Sequence, residues 1–136
     1  MFSMSKALDP SLVLHWLAGR IAGPQWTVAA TVLTGMLGSS PLRARRFSSG
    51  VTVAMMLERP PRLAPEACLL LAATPEARDD SIYMTDKHLW LLRRYVPALT
   101  ESELDLLFKQ QQALCALLAT SHRDEAAPLP VAGRYV

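Results

Sequence analysis

Three guanidinium groups within four residues, Arg43, Arg45 and Arg46, are the strongest chemical signal in this chain, and serines stand on both sides of them in "SSPLRARRFSSG". Guanidinium forks and serine hydroxyls are donors matched to phosphate and carboxylate oxygens. Ser40-Pro41 reads as a helix N-cap followed by proline at the first helical position, which would add exposed backbone amides to the set. The stretch therefore predicts an anion site made of Ser40, Arg43, Arg45, Arg46 and Ser48. On nucleic acid it would grip the backbone rather than read bases. The plainer alternative is a solvated helix face whose arginines pair with carboxylates of this chain or of a partner.

Other chemistry-bearing residues are scattered. His15, His88 and His122 lie in three separate segments with no second histidine or carboxylate at metal-ligand spacing. Cys68 and Cys115 make no CxxC motif and read as small core residues rather than a disulfide. Phosphate-cradling glycine loops, GxSxG and HExxH are all missing. Trp16, Trp26 and Trp90 stand among apolar neighbours and read as core or interface anchors. Tyr83 is freer. No catalytic residue, metal or cofactor is expected.

Composition bounds the rest. The chain has 136 residues, 51% of them hydrophobic and 19% charged, with a net charge of +2. That is enough to fold around one core and too apolar to stay disordered. Charge is polarised: up to Leu63 seven basic residues face two acidic ones, whereas from Ala64 onward seven basic residues face ten acidic ones. One face meeting an anionic partner, or a second copy of the chain, would explain it. The apolar run from Ile21 to Leu42 is broken by Pro24 and several polar residues, so no membrane span is expected. The N-terminal segment lacks a signal-peptide pattern, and a cytoplasmic location is expected.

The elements that must position these residues read as helices. Asp9-Pro10 caps a first one, and Pro24 opens a second that would run to Gly38. "PLRARRF" follows as a short helical turn, and "VTVAMMLE" fits helix or strand, with helix preferred. After the rigid "RPPRLAP" connector come "EACLLLAA", then "DKHLWLLRRYV" capped by Thr85-Asp86 with Arg93 and Arg94 near its C-terminal end. Thr100 and Glu103 form a capping box that opens a long amphipathic helix, with Leu104, Leu107, Phe108, Gln111, Leu114, Cys115 and Leu118 as its buried stripe.

The fold class expected is therefore all-α: one domain over 1–121, a bundle of about five to seven short helices with a basic half (1–63) and an acidic half (64–121). Residues 122–136 read as an irregular tail. Function is expected to be non-enzymatic, that of a small adaptor or accessory subunit docking into a larger assembly. Met55, Met56 and Tyr135 are its candidate interface residues, and a protein partner or self-association is implied. The alternative is a nucleic-acid-binding accessory protein or transcriptional regulator using Arg43, Arg45 and Arg46. No small-molecule substrate is evident.

Overall fold

The structure, a computed structural model, describes residues 7–77, 79–85 and 87–126. Tyr135 and the end of the expected tail lie outside them. The elements in chain order are β1 (Ala7–Leu8), α1 (Pro10–Ala18), β2 (Ala22–Thr27), β3 (Val32–Leu37), β4 (Ser40–Phe47), β5 (Gly50–Leu57), α2 (Ala64–Ala72), β6 (Asp80–Met84), β7 (Leu89–Tyr95), β8 (Leu99–Thr100) and α3 (Glu101–Ala126). Six strands form one antiparallel sheet in the order β2-β3-β4-β5-β7-β6, and β1 pairs with β8 in a second, two-stranded sheet. The all-α helical-bundle expectation is thus overturned. Three helices were read correctly as helices; the segments between them are strands.

Side-chain alternation explains the correction. In β4, Leu42 and Ala44 are buried while Arg43 and Arg45 are exposed, a period of two that a helix cannot satisfy. In β5, Val51, Val53, Met55 and Leu57 face one side and Thr52, Ala54 and Met56 the other. Ser40-Pro41, read as a helix cap, instead enters a strand, because the fixed φ of proline suits extended backbone as well. Tight hairpins join the strands: Leu37 pairs with Ser40 across Gly38-Ser39, and Phe47 with Gly50 across Ser48-Ser49. Gly38 takes a left-handed φ of 64° in the first loop. At Gly50 a Cβ would run into the Tyr95 carbonyl on β7, so glycine there lets two central strands close.

Pro24 does not open a helix either. It lies in β2, and Val28, Ala29 and Ala30, expected on a helical surface, form the β2–β3 loop with φ of 54°, 53° and 64°. Three consecutive non-glycine residues in the left-handed region cost about 1 kcal/mol or more each. Leu89–Tyr95, expected within a helix, is the strand β7; a continuous apolar run is compatible with either, and here Leu89, Leu91, Arg93 and Tyr95 share one side.

All three helices pack on one face of the sheet. Val13, Leu14 and Leu17 of α1, with Leu104 and Phe108 of α3, cover Leu33, Leu42, Val51 and Val53. Leu114 and Leu118 of α3 extend that layer over Leu57, Leu89 and Leu91, joined at the edge by Leu70 and Leu71 of α2. Each buried leucine contributes about 1.5–3 kcal/mol. Two of the caps read from sequence are present: Asp9 accepts from the Leu12 amide at 2.9 Å, and Thr100 and Glu103 exchange backbone-to-side-chain bonds of 2.8 and 3.2 Å. The backbone of α3 continues through Ala126, past residue 122 where an irregular tail was expected.

Polar groups fasten α3 to the sheet. The fully buried Gln111 amide donates to the Val53 and Leu91 carbonyls (2.8 and 3.2 Å) and accepts from the Tyr95 hydroxyl at 2.7 Å. Arg93 forms a two-point ion pair with Asp80 at 2.7 and 2.6 Å and donates to Gln110 Oε1 at 2.7 Å. Burial opposes the Arg93 charge, but the Asp80 carboxylate more than compensates and its pKa ends above the ordinary value. Arg59, also buried, donates to the Leu118 carbonyl at 3.0 Å and to Glu66 at 2.9 Å.

Candidate functional site

Among the described residues every helix lies on one side of the sheet and none covers the other face, and strand register dictates what that face displays. Three rows run across the strands. Met36, Pro41, Met56, Trp90 and Tyr83 form an apolar and aromatic row. Thr34, Arg43, Ala54, Leu92 and Ser81 form the middle row. Val32, Arg45, Thr52 and Arg94 form the third.

Within these rows the side chains organise one another. Ala54 is small, and over it Arg43 reaches the Trp90 ring, its guanidinium carbon 5.7 Å from the centroid. Tyr83 stacks on the other neighbour's side of Trp90, nearly parallel at 8° and 6.2 Å. Trp90 is left only 7% exposed, and its indole donates to Thr85 Oγ1 at 3.3 Å. Burial raises the Tyr83 pKa above its ordinary value, and the Arg43 charge pulls in the opposite direction. Arg45 leans away from Arg43 and lies over Phe47 at 5.5 Å. Between the two arginines opens a trough of about 330 Å³ floored by Val32, Thr52, Ala54 and Leu92.

Among the described residues, Arg43, Arg45 and Arg94 form no ion pair. The outward strand positions hold no aspartate or glutamate. Among the described residues, the strand positions of this face therefore make a positive, partly aromatic surface.

Comparison with known protein families, curated proteins and solved structures gives no match. What the site does must be read from its geometry.

That geometry divides the residues singled out in the sequence. Arg43 and Arg45 share the open face, but strand alternation turns Arg46 to the helical side, where its Nε is buried without a hydrogen-bond partner. Strand alternation puts Ser40 on the helical side with Leu42 and Ala44, opposite Arg43 and Arg45, and Ser48 lies beyond β4 in the β4–β5 loop. The third outward guanidinium is that of Arg94, two strands from Arg45 across Thr52. Sequence reasoning had placed Arg93 and Arg94 together; the strand buries the first and exposes the second. Trp90, Tyr83, Phe47 and Arg94 were missed as a group, although the alternation Trp90-Leu92-Arg94 was the available signal.

Met55 and Met56 likewise point to opposite sides, Met55 buried and Met56 half-buried. Both line a groove of about 230 Å³ between the β3–β4 end of the sheet and α3. Cys115 lies in that groove with its Sγ 3.7 Å from Met55 Sδ, and burial pushes its thiol pKa up to about 12. Cys68, expected in the core, is exposed on α2, because α2 presents Ala67 rather than its cysteine to the interior; both cysteines are free.

His15 bonds the Ser11 carbonyl through Nδ1 at 2.9 Å and lies against Trp26, whereas His88 is exposed beyond β6. Among the described residues, no three of His, Cys, Asp and Glu converge as metal ligands, and no helix is long and apolar enough to cross a membrane.

Proposed function

We propose that this chain is a non-enzymatic protein-binding subunit whose working surface is the uncovered face of its sheet. One observation carries the reading: among the described residues, Arg43, Arg45 and Arg94 are in no ion pair and no helix covers their face, and they stand beside a row of methionine, tryptophan and tyrosine. Interfaces are enriched in those residue types, and arginine with tryptophan or tyrosine dominates their energetic centres. The dispersal of His15, His88, Cys68 and Cys115 supports a binding role over a catalytic one.

The test is co-purification from the native cell with wild-type chain and with an Arg43→Glu/Arg45→Glu/Arg94→Glu variant. All three side chains are exposed, so folding is expected to survive. Loss of a defined partner polypeptide by about tenfold or more in the variant is expected, equivalent to about 1.4 kcal/mol. Equal recovery with both chains sinks the reading.

A second reading is favoured by the same unpaired guanidiniums: phosphate binding on nucleic acid. Base stacking argues against it, since Trp90 is already covered by Tyr83 and Arg43. Anisotropy titration of labelled oligonucleotides at two salt concentrations decides. Binding whose log K falls by nearly one per log unit of salt for each phosphate, abolished in the triple variant, would promote nucleic acid over protein.

A further inference from the structure

From the charge and shape of the trough we infer that the segment docking there is an acidic amphipathic stretch of polypeptide, which sets apolar side chains on the Ala54 floor and carboxylates against the arginine rims. This rests on the open face being a protein-docking surface. Rim and floor are chemically distinct. Arg43 and Arg45 bound the trough from the same strand, two residues apart and so about 7 Å along it. Arg94 lies two strands from Arg45, about 10 Å at the usual strand spacing. The floor between them is low because Ala54 and Thr52 are short, and Val32 and Leu92 make its ends apolar.

The Arg43 and Arg45 guanidinium carbons lie 5.7 and 5.5 Å from the Trp90 and Phe47 ring centroids, and among the described residues neither side chain is in an ion pair, so both charges can be offered to carboxylates. Among the described residues, no outward strand position of the six-stranded sheet is acidic, and Arg43, Arg45 and Arg94 are in no ion pair. From Val32 on β3 to Tyr83 on β6 the trough crosses four inter-strand gaps, about 19 Å, a span filled by about 13 helical residues or about six extended ones. A purely acidic chain would leave the floor uncovered; a purely apolar one would bury the arginine rims without partners.

The probe is a fluorescein-labelled peptide of glutamate and leucine at amphipathic helical spacing, titrated against the full chain by anisotropy. Its lysine-for-glutamate counterpart, oligoglutamate and oligo-deoxythymidine serve as comparisons. Binding of the acidic amphipathic peptide at least about tenfold tighter than the other three is expected. Arg43→Gln/Arg45→Gln should weaken it by about tenfold or more, and so should Ala54→Leu, which fills the floor and changes no charge.

Equal binding of oligoglutamate or the lysine peptide, or binding indifferent to both variants, overturns the inference. Binding of oligo-deoxythymidine alone overturns it in favour of nucleic acid. If no peptide binds yet partner recovery still depends on Arg43, Arg45 and Arg94, the partner chemistry is wrong and the docking face stands; if recovery is also indifferent, both fail.

Discussion

Severing the Asp80–Arg93 ion pair tests how the edge strand β6 is held. The Asp80 side chain is fully buried and that of Arg93 almost so, and their two contacts span β6 and β7 at 2.7 and 2.6 Å. Asp80→Ala leaves a guanidinium that keeps its bonds to Gln110 and to the Leu107 carbonyl but loses its two-point contact with the Asp80 carboxylate. Removing one partner of a buried pair costs about 3–5 kcal/mol, which is a third or more of the stability of a typical domain. Arg93→Met is expected to cost less, because a carboxyl left behind can neutralise itself by taking up a proton and a guanidinium cannot. Asp80→Ala/Arg93→Met, which leaves neither charge of the pair, should recover most of the loss.

Urea unfolding followed by circular dichroism is the assay. With a slope of about 1.5 kcal/mol per molar, a loss of about 4 kcal/mol moves the midpoint down by about 2.7 M. Losses of Asp80→Ala and Arg93→Met that add up in the double variant within about 0.5 kcal/mol would refute the idea that the charges stabilise the fold only as a pair.

Two further outcomes follow from local features. Ala29→Gly should stabilise the chain by about 0.5–1 kcal/mol, since a left-handed φ of 53° costs alanine energy that glycine does not incur; a higher melting temperature checks it. At alkaline pH the chain should weaken. The Cys115 thiol has a folded-state pKa of about 12 against an ordinary 9.0, so the stability it contributes is intact below pH 9 and is lost as pH rises towards 12, by about 1.4 kcal/mol per pH unit. Burial raises the pKa of Tyr95 in the same sense, and Cys115→Ala should therefore flatten, without abolishing, the alkaline fall seen in urea midpoints.

What the sequence disclosed depended on whether the signal was local. Helices α1 and α3 were legible because Asp9-Pro10 and the Thr100/Glu103 box are complete within one turn of backbone. Strands β4, β5 and β7 were obscured by residues that suit helices equally: alanine, leucine, methionine and arginine. The decisive pattern was Leu42-Arg43-Ala44-Arg45 and Val51-Thr52-Val53, mirrored about Ser48-Ser49, which is hairpin alternation around a two-residue loop. Only Arg43 and Arg45 of the candidate site were visible. Trp90, Tyr83 and Arg94 join them only through pairing between strands distant in sequence, and no spacing rule along the chain reports that register.

The strand order also has a kinetic side. From β2 to β5 each strand pairs with the one before it across a loop of a few residues, so that meander can form from near neighbours. Strand β7 must instead return across the whole segment containing α2 to pair Leu89 with Leu57, and only then does it have β5 on one side and β6 on the other. That closure carries the greater entropy cost. Substitutions at the β5–β7 seam should therefore slow folding, whereas those in β2 should mainly speed unfolding. The seam lies beneath Ala54, Leu92 and Trp90, so the docking face is completed by the late step of assembly.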